Sequence, residues 1–103
     1  MIDFQRVRVT FPTASGRPQS QTAFLEFPSD VNRAEAALNG FDIGYVGSDH
    51  HLRRTQIDTL TIINHGDRRK VSVVVSFSLR DNSGNFDDPF SGFVDVLVIV
   101  DRA

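Results

Sequence analysis

One hundred and three residues, 40 % hydrophobic and 23 % charged, have the size and make-up of one globular domain, 1–103, able to bury roughly two-thirds of its unfolded surface. Cysteine is absent, which excludes disulfides, thiolate metal sites and thiol nucleophiles. A formal net charge of −2 leaves no broad electropositive surface for nucleic acid, so none is expected as a partner.

The chain opens with MIDFQRVRV and passes straight into a strand pattern, without the charged-then-apolar layout of a signal peptide. The expected address is the cytoplasm, or outside it for a trimmed secreted form. In RVRVTF, Val7, Val9 and Phe11 alternate with Arg6, Arg8 and Thr10, the period of a half-buried strand. PTASGRP then reads as a turn, and QTAFLEF as a second strand with Ala23, Leu25 and Phe27 on one face.

SDVNRAEAALNG supports two structures. Asp30 as an N-cap, a helix-favouring AEAAL and Gly40 as a stop suggest one or two helical turns. Alternation suggests a strand over residues 33–45, with Ala34, Ala36 and Leu38 facing inward. Strand neighbours on both sides decide for the strand against local propensity.

RTQIDTLTII is rich in β-branched residues and reads as the next strand. After the turn signal NHGD comes KVSVVVSFSLR, where Val71, Val73, Val75, Phe77 and Leu79 point one way and Ser72, Ser76, Ser78 and Arg80 the other. DNSGN has the small polar residues of a hairpin turn. FVDVLVIVD is the final strand. Strands at this spacing, with no long helical pattern, predict an all-β fold: an antiparallel β-sandwich of about six to seven strands.

The final strand is apolar on both faces, with Val94, Val96, Val98 and Val100 on one and Phe93, Leu97 and Ile99 on the other. A strand with water on one side should alternate, so the second face needs a cover. No helix is available as a lid. The expected cover is another subunit, making the chain a homo-oligomer through Phe93, Leu97 and Ile99. The longest apolar run, Val96-Leu97-Val98-Ile99-Val100, is too short to cross a bilayer, and no membrane partner is expected.

Two stretches hold the residue types that carry chemistry. GSDHHLRR sets Asp49, His50 and His51 beside Arg53 and Arg54. The Asp-His-His run resembles that of the DHH phosphoesterases, but those need further ligands from a much longer α/β chain. In an extended stretch His50 and His51 face opposite ways, so no metal is assigned. What remains is a polar connection whose arginines, histidines and acid can grip a polar ligand through hydrogen bonds.

The second stretch, DNSGNFDDPF, spaces oxygen side chains at 81, 83, 85 and 87, as the first half of a calcium loop does, but Gly92 stands where the closing glutamate belongs. Phe86 and Phe90 flank Asp87-Asp88-Pro89 in a loop, where they either fold back as a lid on the sandwich end or, with Asp87 and Asp88, offer apolar faces beside carboxylates, a pairing suited to the C–H faces and hydroxyls of a sugar. Neither a nucleophile elbow nor a phosphate-binding glycine loop occurs. No catalytic residue and no cofactor are assigned, and an enzyme is not expected.

The order TAFLEFPSDV, AEAALNGFDIGY, KVSVVVSFSLRDNSGNF and FVDVLVIVD, from residue 22 to residue 101, resembles the H-type lectins. Those are small six-stranded antiparallel sandwiches that trimerise and bind N-acetylgalactosamine-like sugars. The resemblance lies in spacing and hydrophobic pattern. The family's tryptophans have no counterpart here, and FDDPF stands where its aromatic-histidine ligand pair would be. The resemblance therefore implies the fold, a trimer and a carbohydrate ligand held near residues 49–54 and 86–90, and carries over no individual sugar-binding residue.

Overall fold

The computed structural model describes residues 1–15, 18–46, 52–81 and 89–103, apart from the side chains of 15, 52–54 and 80–81. The described residues form six strands: β1 (Ile2–Ser15), β2 (Gln19–Glu26), β3 (Val31–Tyr45), β4 (Leu52–Ile63), β5 (Lys70–Asp81) and β6 (Pro89–Arg102). They make two antiparallel three-stranded sheets, ordered β1-β6-β3 and β2-β5-β4. The sheets face each other as the alternating pattern predicts.

The core lies between the two central strands. From β6 it takes Val94, Val96, Val98 and Val100, and from β5 Val71, Val73, Val75, Phe77 and Leu79, each no more than 3 % exposed. All described residues that are buried are apolar. Branched valines suit this position because they stand stiffly off a pleated surface and fill the gap between sheets without rotamer loss. At one end the filling turns aromatic: Phe77 meets Phe11 edge-on at 4.3 Å between ring centroids and Phe90 at 5.0 Å.

The opposite end is tied by backbone and arginine hydrogen bonds. Val31 N donates to Arg68 O at 2.9 Å, and Arg68 Nη2 donates back to Val31 O at 2.8 Å. Ala103 N reaches Asp30 O at 2.9 Å, and Arg102 Nε reaches Asp3 Oδ2 at 2.9 Å. The NHGD turn forms as its residues suggest: Asn64 Oδ1 accepts from the Gly66 and Asp67 amides at 2.8 and 3.0 Å. Along one side, Thr61 Oγ1 of β4 donates to Ala34 O of β3 at 3.0 Å and joins the two sheets.

Three local expectations are corrected or sharpened. PTASGRP is not simply a turn, since β1 runs on to Ser15. Its register with β6 slips between Phe11 and Ala14, where Pro12 cannot donate to the ladder. The ambiguous segment is strand throughout, and Ala34 and Ala36 pack on the core. Leu38 does not: it is 48 % exposed, because β3 is an edge strand whose register with β6 slips between Leu38 and Gly40.

Candidate functional site

The strand register brings the ends of the candidate connections together. Tyr45 and Phe90 are partners across β3 and β6, and Val46 N donates to Pro89 O at 3.0 Å. Leu52 and Asp81 are partners across β4 and β5, and Ser15 and Pro89 across β1 and β6. The strands flanking residues 47–51 and those flanking 82–88 therefore meet at one end of the sandwich, the end of the Phe11–Phe77–Phe90 cluster. Two stretches separated by more than thirty positions in sequence have their anchors side by side.

Of the residues expected to bind a ligand, Asp49, His50, His51, Phe86, Asp87 and Asp88 lie outside the described residues. Arg53 and Arg54 belong to β4, with their side chains outside the description. The possible calcium ligands Ser83, Asn85 and Asp87 fall outside it too, as does the Asp81 side chain. Phe90 is corrected. Its side chain is 1 % exposed and packs on Phe77, so it fills the end of the core and offers no face to a ligand. Of the two readings for the loop that holds it, the one in which the ring folds back over the sandwich end is the one its burial fits. Pro89 opens β6, the first-residue position where a strand tolerates proline.

A second constellation, missed from sequence, lies on the outer face of β1-β6-β3. Arg8 Nε and Nη2 grip Asp95 Oδ1 and Oδ2 at 2.8 and 3.1 Å, a two-pronged pair. The same guanidinium sits 3.7 Å above the centre of the Phe93 ring. Hydrogen bonding from Arg8 holds the Asp95 carboxyl below the usual carboxylate range, and Asp95 in turn raises Arg8. The signal was present as alternation on β1 and β6. What it lacked was the pairing of the first strand with the last.

Towards the chain termini the same face becomes apolar, with Ile2 69 %, Phe4 64 % and Ile99 36 % exposed. Phe93 and Leu97, expected with Ile99 to meet another subunit, are half-buried between their cross-strand neighbours. The outer face of β2-β5-β4 carries its own apolar group, Phe24, Leu60 and Ile62. Ser72 of β5 is the cross-strand partner of both Phe24 and Ile62.

Among the described residues no three His, Asp or Glu side chains gather as a metal site. None forms a helix long and apolar enough to cross a membrane. No family model, curated protein or solved structure matches this chain.

Proposed function

We propose that the chain is a lectin-like carbohydrate-recognition module that works as a homo-oligomer. Its ligand residues are Asp49, His50, His51, Arg53, Arg54, Phe86, Asp87 and Asp88, and its copies meet through the outer face of β6 at Phe93, Leu97 and Ile99. The observation that carries the reading is the pairing of Tyr45 with Phe90 and of Leu52 with Asp81, which puts the anchors of both ligand-bearing connections at one end of a stiff sandwich. Loops on a rigid frame are where binding residues concentrate.

The chemistry suits a sugar. Carboxylates accept from hydroxyls, arginines and histidines donate to them, and Phe86 supplies an apolar face. Oligomerisation strengthens such a module, since tethered copies turn the second binding event into an intramolecular one. A glycan-array screen of the purified chain, with calcium and again with EDTA, tests the reading. Specific binding is the expected result, and its loss in EDTA would add a metal to the site. Silence in both conditions overturns the carbohydrate reading.

The exposed Phe24, Leu60 and Ile62 favour a second reading, an assembly subunit that holds a protein partner through its sheet faces. Partner capture that persists in excess free sugar and is lost in Phe24→Glu would establish it.

A further inference from the structure

The outer face of β1-β6-β3 combines an apolar midline with charged edge strands. Register sets Arg6, Leu97 and Ala37 in one row across β1, β6 and β3, and Phe4, Ile99 and Glu35 in the next. Arg6 and Arg8 thus stand on one edge strand, while the other carries the acids Glu35 and Asp42 and also Arg33, in the row of Ile2 and Asp101; Leu97 and Ile99 lie on the midline. Among the described residues, neither Arg6 nor Glu35 has an ion-pair partner within the chain.

We propose that two copies of this chain pair through these faces about a two-fold axis running along β6, with Arg6 of each copy set against Glu35 of the other. The inference rests on the reading that β6's outer face is the self-association surface, and adds the symmetry and the charged contacts. An axis along β6 lays β1 of one copy over β3 of its partner with the rows kept in step. Leu97 then meets the partner's Leu97, and Ile99 meets its own copy. Arg6 lies over the partner's Ala37, whose methyl leaves room for the guanidinium to reach Glu35 one register step away, about 6.6 Å along the strand.

The alternative axis, across the strands and centred on the same row, lays β1 on β1. It sets Arg6 against its own copy and leaves Glu35 without a cation in reach, so its one favourable charged contact is Arg33 against the partner's Asp42. Like charges so juxtaposed oppose association. The midline acids do not upset the favoured arrangement, because each is already drawn aside by a cation of its own chain. Asp95 is held by Arg8 at 2.8 Å and Asp101 by the N-terminal amine at 3.1 Å.

The face is large enough. Three strands about 4.8 Å apart and about 14 residues long span on the order of 650 Å² before side-chain relief. A standard interface buries about 800 Å² per partner. Apolar contact supplies the affinity, while the exposed charge pairs chiefly fix orientation.

Sedimentation equilibrium over a concentration series, with circular dichroism as the check on folding, decides the matter. A dimer is expected, weakened by Leu97→Asp. Arg6→Glu and Glu35→Arg should each raise Kd about tenfold, and the double exchange should return it to within about threefold of the starting value. Both charged side chains are exposed, so these variants test orientation without touching the core. A dimer sensitive at Leu97 but not rescued by the double exchange overturns the two-fold arrangement and leaves the β6 surface standing. A monomer at every concentration, or a trimer indifferent to Leu97→Asp, overturns the surface as well.

Discussion

Gly92 of β6 and Asp42 of β3 approach so closely that a side-chain carbon at Gly92 would lie 2.0 Å from the Asp42 carbonyl oxygen. Gly92 also has a positive φ of 153°, a conformation side chains rarely adopt. The position is central, since Gly92 pairs with Phe11 on one side and Ile43 on the other. Gly92→Ala must push β3 away from β6 or rotate the backbone, and neither is cheap where the listening atoms are main chain. The expected cost is about 2–4 kcal/mol, combining backbone strain with overpacking. Urea unfolding followed by circular dichroism measures it, and an unchanged midpoint would contradict the close approach.

Phe77 is the hinge of the aromatic cluster, touching Phe11 at 4.3 Å and Phe90 at 5.0 Å between ring centroids. Phe77→Ala should cost about 3–5 kcal/mol through lost transfer energy and the cavity left behind. Phe77→Leu should cost less, but more than its lost area suggests, because the edge-to-face contacts go with the ring. The check is a fall in urea midpoint at constant slope. A loss of less than about 1 kcal/mol for the alanine variant would show that the cluster relaxes around the gap.

Most of the fold was legible in the sequence, and the reason is visible in β5. Alternation there is so regular that Val71, Val73, Val75, Phe77 and Leu79 could face only inward, and all five do. Residues 33–45 were harder, because AEAAL favours a helix locally and only its strand neighbours argue otherwise. Pairing is a long-range property. No local pattern says that β1 lies against β6, and without that partner the Arg8–Asp95 pair stayed invisible. Phe90 was open between a lid on the core and a ligand face, and only the pairing of Pro89 with Ser15 shows that β6 already begins there and turns the ring inward. The strand ends that flank the two candidate connections share one end of the sandwich through register, which sequence spacing cannot supply.

Three carboxylates make stability depend on acid in a predictable direction. Asp3, Asp67 and Asp95 are each held below the ordinary carboxylate value, chiefly by hydrogen bonds from Arg102, Arg69 and Arg8 respectively. In the unfolded chain they return to about 3.9, so on acidification the unfolded state takes up protons first. Their contribution is present above about pH 4 and is lost as pH falls through the lower folded values. The melting temperature should be level from about pH 7 to pH 5 and fall below about pH 4. Asp95→Asn should make that fall shallower. A melting temperature that rises on acidification would contradict the sign.

Separating binding from folding is the last requirement, and the correction at Phe90 provides the control. Arg53→Ala and Asp88→Ala are expected to abolish glycan binding while shifting the melting temperature by no more than about 3 °C, the usual size of a surface change of about 0.5 kcal/mol. Phe90→Ala should behave differently. Its ring is buried against Phe77, so removing it should cost about 3–5 kcal/mol and lower the melting temperature by well over 10 °C. Any loss of binding in that variant would follow the loss of fold. Isothermal titration against the best array ligand, run beside a thermal melt for each variant, distinguishes the two classes. Were Arg53→Ala or Asp88→Ala to lose stability in step with binding, those residues would be holding the connections in place and the sugar contacts would have to lie elsewhere.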